Sequence, residues 1–169
     1  MRPHLEFCVS AWSLYYKKDK ELLERVQHRF TRMFPDLRTL SYADRLQSIG
    51  LWSLEERRNR SDLLEVFRMY KGWSRISFGS MFTLSSVTTT RGHTVKIAKN
   101  RCRLDSRRHF FSDRVIDRWN RLPQVTQHII DSVSFNAFKS GLDIDLLLSC
   151  WVSFFCTMPR DWLGKTPPE

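Results

Sequence analysis

The stretch Ser41–Gly72, SYADRLQSIGLWSLEERRNRSDLLEVFRMYKG, decides the fold class. Ser41 can cap a helix whose Leu46 and Ile49 turn inward, and Gly50 stands where a left-handed residue ends it. Ser53 precedes Glu56 by three residues, the capping-box spacing in which each side chain satisfies a free backbone N–H near the start of a helix. Beyond it Leu63, Val66, Phe67 and Tyr70 form an apolar stripe, and Gly72 closes the segment. This spacing predicts two consecutive helices.

Working outward, Leu22, Leu23, Val26, Phe30, Met33 and Phe34 recur at helical spacing over Lys18–Phe34, and Pro35 stops them. Between Leu84 and Leu104 the helical period is lost in a Ser-, Thr- and Val-rich run, which predicts a short β-hairpin or extended arm around residues 84–104. Helix returns near His109 with Phe111, Val115, Trp119 and Leu122 on one face and Pro123 at the exit. Ser134 caps a last helix with Phe135, Phe138, Leu142 and Leu146 on its apolar face, although Gly141 within it costs about 1 kcal/mol relative to alanine. The expectation is a mainly α, small helical domain with four or five helices.

Composition bounds the function. The 169 residues carry 28 Lys+Arg against 18 Asp+Glu, a net charge of +10, which favours a polyanionic partner. Cys8, Cys102, Cys150 and Cys156 form no CxxC pair, which argues against a disulfide framework or zinc ribbon and for reduced thiols. Met1–Trp12 lacks a signal-peptide apolar block, so an intracellular protein, nuclear or cytoplasmic and not secreted, is expected. The uncharged run Leu146–Met158 is shorter than the ~20 residues needed to span a bilayer, so no membrane span is expected.

Catalytic signatures are missing. There is no clustered carboxylate set for divalent metals, no Gly-rich phosphate loop and no GxSxG, and Asp143-x-Asp145 is too common a pattern to count. The histidines lack zinc-protease spacing. No catalytic residue, metal or cofactor is therefore expected.

The basic residues are more informative. From Arg91 to Arg121 there are ten positive residues, Arg91, Lys96, Lys99, Arg101, Arg103, Arg107, Arg108, Arg114, Arg118 and Arg121, against Asp105, Asp113 and Asp117. Arginine dominates, and its planar fork matches phosphate oxygens bidentately. With helix running back to Arg107, the residues Arg107, Arg114, Arg118 and Arg121 make one phosphate-facing stripe beside the apolar face. A second strip, Arg25, Arg29 and Arg32, lies on the first long helix, offset from its apolar side, and a third, Arg57, Arg58 and Arg60, is partly offset by Glu55, Glu56 and Asp62, so that ion pairing within its own helix competes with phosphate contact. Trp119 is expected in the core rather than on a base-stacking surface.

The order of segments resembles the carboxy-terminal, post-thumb region of reverse transcriptases from non-LTR retrotransposons of the jockey and chicken-repeat type. RPHLEFCVSAW (Arg2–Trp12) resembles the end of the thumb, KKDKELLERVQHRFTR (Lys17–Arg32) the following helix, and Leu40–Gly72 the helical pair after it. Phe82–Pro123 is similar to the basic arm with its Phe-Phe and Trp-Asn helix, and SFNAFKSGLD (Ser134–Asp143) to the closing helix. The resemblance implies four segments: residues 1–16 as the truncated thumb end, 17–83 helical, 84–143 as basic arm plus helices, and 144–169 as an unmatched apolar tail. It also implies a chain without the polymerase palm and its metal-binding aspartates, one that binds RNA or target DNA without copying it. Trp52 departs from the family pattern, where proline is common. Two other classes compete. One is an interaction module that seeks a protein partner or self-associates through the apolar tail and the terminal residues Leu5, Phe7, Val9 and Trp12. The other is the product of a decayed reading frame with no selected role.

Overall fold

In the computed structural model the described residues are 2–86, 92–123 and 127–142. They are mainly helical: α1 (Arg2–Glu6), α2 (Lys17–Thr31), α3 (Tyr42–Ile49), α4 (Leu54–Tyr70), α5 (Phe78–Met81), α6 (Asp105–Arg108), α7 (Phe111–Arg114), α8 (Ile116–Arg121), α9 (Gln127–Asp131) and a helical stretch over 135–142, here α10, with a 3₁₀ turn at Pro35–Leu37. The chain divides into two compact units, Met1–Gln127 and His128–Glu169.

The punctuation read from the sequence is in place. Ser53 Oγ accepts from the Glu56 backbone N–H and the Glu56 carboxylate accepts from the Ser53 N–H, a complete capping box. Gly50 sits at φ 64°, with Leu51 N–H donating to the Leu46 carbonyl and Gly50 N–H to that of Gln47. Gly72 repeats this at φ 74°, with Trp73 N–H on the Arg68 carbonyl and Gly72 N–H on that of Met69. Both are Schellman closures, which need a residue tolerant of the left-handed region.

In the first unit α4 supplies Leu54, Leu63, Val66, Phe67 and Met69 to the interior, and the α7–α8 region supplies Phe111, Val115, Ile116 and Trp119. Each such side chain stabilises by about 1.5–3 kcal/mol on leaving water. Trp119 is fully buried and its indole N–H donates to the Val95 carbonyl, as a core position requires. In the second unit Ile130, Phe138 and Leu142 are buried. A Cβ built on Gly141 would lie 2.3 Å from Ile129 Cδ1, so the glycine within α10 answers to packing.

Two local expectations are corrected, the number of helices and the end of the first long one. The helices exceed four or five because short turns stand at α1, α5, α6 and α9, and because the segment expected as one helix near His109 is broken. Of the two forms expected over 84–104, the described residues take the extended arm, with a single antiparallel bridge, Leu84 with Ile97, while 87–91 lie outside them. The arm is held mainly by side chains of α8: Asn120 accepts from Ile97 N–H and donates to the Ile97 carbonyl. Finally α2 ends at Thr31, since Phe34 before Pro35 is extended (φ −81°, ψ 118°). Its expected apolar stripe is largely exposed at Leu22, Phe30, Met33 and Phe34.

Candidate nucleic-acid interface

The α2, α4 and α6–α8 segments of the first unit enclose a groove with a cavity volume of about 1340 Å³. On α2 the lining residues Lys17, Lys20, Glu21 and Glu24 follow the i, i+3, i+4, i+7 rule and so form one face. Arg58 and Asn59 come from α4, Lys99, Arg101 and Arg103 from the arm, and Arg114 and Arg118 from α7 and α8. Tyr15 and His109 stack at one edge, with centroids 4.1 Å apart and planes 7° apart, and Tyr16 lies 3.9 Å from Tyr15.

Nine cationic side chains line the groove against five carboxylates. The carboxylates are already engaged. Glu55 meets Lys20 at 2.6 Å, Asp117 meets Lys99 at 2.5 Å, Glu21 meets Lys17 at 3.9 Å and Asp113 meets Arg107 at 3.0 Å. Glu24 accepts from Tyr42 Oη and from Leu54 N–H, and burial together with that bond raises the Tyr42 phenol above its ordinary value. Among the described residues Arg58, Arg101, Arg103 and Arg118 have no carboxylate within ion-pair distance, which leaves the groove electropositive.

The residues singled out from the sequence divide here. Lys99, Arg101, Arg103, Arg108, Arg114 and Arg118 all line the groove. Arg107 and Arg121 are exposed away from it, Arg107 beside Asp113. Arg25, Arg29 and Arg32 are exposed on another face of α2 and do not reach it. Arg91 lies outside the described residues, as does the Asp143-x-Asp145 pattern.

Two of these residues are structural. Lys96 is buried, donates to the Asn120 carbonyl, and its ammonium is held below its ordinary pKa by desolvation. Arg114 donates through Nε and Nη2 to both oxygens of Asp62, each at 2.9 Å, and through Nη2 to the carbonyls of Val9 (2.9 Å) and Ser10 (3.3 Å). The pair's side chains are 10% and 2% exposed, so Arg114 is an internal tie rather than a member of a solvent-facing stripe. Helical geometry gives the reason: Arg114 follows Phe111 by three and Arg118 follows Val115 by three, placing both at the border of the apolar arc. A continuous helix would also carry Arg107 inward, four before Phe111. Instead Phe110 is extended (φ −67°, ψ 154°), the helix breaks, and Arg107 stays in water.

The sequence reading missed Asp62, Lys17, Lys20 and Tyr15 as site residues, and it set Arg58 in a strip without placing it in the groove. Arg58 and Asp62 fall four and eight residues after Leu54, on the face that buries Val66, and a charged pair inside an apolar stripe was the available signal. These arginines also contact other segments: Arg57 meets Glu6 at 2.8 Å, Arg58 lies 4.1 Å over Trp12 and Arg60 5.4 Å over Trp52. Val9 is buried, so the terminal apolar patch keeps Phe7 and Trp12 at its surface but not Val9.

Among the described residues no group of three or more His, Cys, Asp or Glu is placed to hold a metal ion, and no helix is long and apolar enough to cross a membrane. Comparison with family models, with curated proteins and with solved structures finds no match for this chain.

Proposed function

We propose that the protein binds nucleic acid by its phosphate backbone, in the groove lined by Arg101, Arg103 and Arg118, without catalysing a reaction on it. The observation that carries this is the set of groove cations with no carboxylate partner, in a cavity of about 1340 Å³. Small-molecule pockets run to about 300–1,000 Å³ and are mostly apolar, so a larger, cationic groove fits an extended polyanion better. The stacked Tyr15 and His109 beside it suit unpaired bases, since every base offers a π-face. The resemblance to the post-thumb region of non-LTR reverse transcriptases supports RNA or target DNA as the polyanion and an intracellular setting, nucleus or cytoplasm.

The test is a titration of the full chain with single-stranded RNA, duplex DNA and a nicked duplex at several salt concentrations. Each lost phosphate contact lowers the slope of log affinity against log salt by ~0.9 for duplex or ~0.7 for single strands. Replacing Arg101 and Arg103 by glutamine together should lower it by about 1.4–1.8, equally for all sequences. An unchanged slope in the folded double variant moves the interface elsewhere.

The exposed cluster of Phe30, Met33 and Phe34 favours a second reading, self-association through the end of α2. It predicts oligomers that depend on concentration and that Met33→Lys disperses, read by sedimentation.

A further inference from the structure

Arg58 and Arg118 differ from the groove's other unpaired cations because both are drawn out of water. Arg58 is 7% exposed, yet only its Nη2 has an acceptor, the Leu5 carbonyl at 2.8 Å. Its Nε and Nη1 are buried without a partner, and its guanidinium lies over Trp12. Arg118 is partly buried and makes no hydrogen bond or ion pair among the described residues. Burial holds both guanidiniums below their ordinary pKa, with Arg114 adding to the effect on each. Folds rarely keep buried charged donors without acceptors, as the Arg58 Nε and Nη1 are, and the Arg118 donors beside them line the groove unused, which together point to a ligand.

The local charges do not cancel. Asp62 stands between the two, four residues after Arg58 on α4, but both its oxygens are taken by Arg114. The other carboxylates near enough to act on either arginine are Glu6, held by Arg57 at 2.8 Å, and Glu55, held by Lys20 at 2.6 Å. Two guanidinium charges are left over. A backbone diester brings one negative charge, whereas a phosphate monoester brings about −1.5 to −2 and three acceptor oxygens. The monoester matches both the leftover charge and the unused donors.

We propose that the groove holds a seat for a phosphate monoester, with Arg58 and Arg118 as its ligands. This rests on the nucleic-acid reading only as to where the phosphate comes from: a phosphorylated strand end, or free phosphate. On the first source, the exposed groove arginines Arg101 and Arg103 hold the backbone and the Arg58–Arg118 seat selects the end.

The test compares binding of the full chain to one single-stranded 12-mer carrying a 5′-phosphate, a 3′-phosphate or two hydroxyl ends, at constant ionic strength, together with thermal stabilisation by inorganic phosphate. A phosphorylated end is expected to bind on the order of tenfold tighter than the hydroxyl strand, equivalent to about 1.4 kcal/mol. Arg118→Gln should abolish that ratio. Arg101→Gln should weaken all three strands and keep the ratio. Arg58→Gln is the confirmatory variant where circular dichroism shows it folded, because Arg118 alone keeps the proposal testable. Equal binding of all three strands overturns the monoester seat while leaving backbone binding standing. Binding of no strand, with inorganic phosphate still raising the melting temperature of the parent but not of Arg118→Gln, sustains the seat for free phosphate and overturns the nucleic-acid reading. No response to phosphate in any form overturns the seat.

Discussion

Replacing Asp62 by alanine leaves Arg114 with its charge and without its counter-charge, in a place where side-chain exposure is 10% for the arginine and 2% for the aspartate. The three remaining acceptors, the carbonyls of Val9, Ser10 and His109, are neutral dipoles, and the last is at 3.5 Å. Removing one partner of a buried pair costs about 3–5 kcal/mol, because the orphaned charge must be solvated or neutralised. With a urea m-value of about 2 kcal/mol/M, the unfolding midpoint should fall by about 1.5–2.5 M. Asp117→Ala is the control: it removes a pair with side chains 53% and 51% exposed, and should cost about 1 kcal/mol or less. The paired change Asp62→Leu with Arg114→Met should recover part of the loss, as neither charge is then left buried, though the Val9 and Ser10 carbonyls lose their donor. Urea unfolding followed by circular dichroism gives all four values. A midpoint for Asp62→Ala no lower than that of Asp117→Ala would show that Arg114 is solvated after all, and would remove the reason for treating it as internal.

Gly50→Ala and Gly72→Ala should each lose about 1–2 kcal/mol, since both hold positive φ and a Cβ at either meets no atom within 4 Å, which isolates the backbone cost; a neutral effect in urea unfolding would contradict the Schellman closures. Acid should destabilise the protein through His93, which is 1% exposed, donates Nε2–H to the Trp119 carbonyl at 2.8 Å and leaves Nδ1 buried without a partner. Burial lowers its pKa in the fold, so the unfolded chain binds the extra proton first, and stability present above the ordinary value of about 6.5 is lost progressively as pH falls below it. His28 is shifted the same way by burial and by Arg45, so His93→Gln should flatten the dependence of the unfolding midpoint between pH 7.5 and 5.5 without removing it.

Local grammar was legible along the chain: the capping box at Ser53 and Glu56, the ends at Gly50 and Gly72, the core role of Trp119 and the helical class. These are short-range outcomes, set by hydrogen bonds within a few residues and by the apolar period of 3.6. Net charge and the arginine-rich arm were equally legible, and Arg101, Arg103 and Arg118 do meet in one groove. Which arginines are available was settled by long-range packing. Arg114 finds Asp62 across 52 residues and Val9 across 105, and Arg58 finds Leu5 across 53, pairings that no spacing along the chain encodes. An arginine beside an apolar stripe can face solvent or turn inward, and the outcome depends on whether a distant carboxylate or carbonyl arrives to repay its desolvation. For Arg114 it does. For Arg118 no partner arrives from the described residues, and that difference, between two arginines four residues apart, is made by packing rather than by sequence pattern.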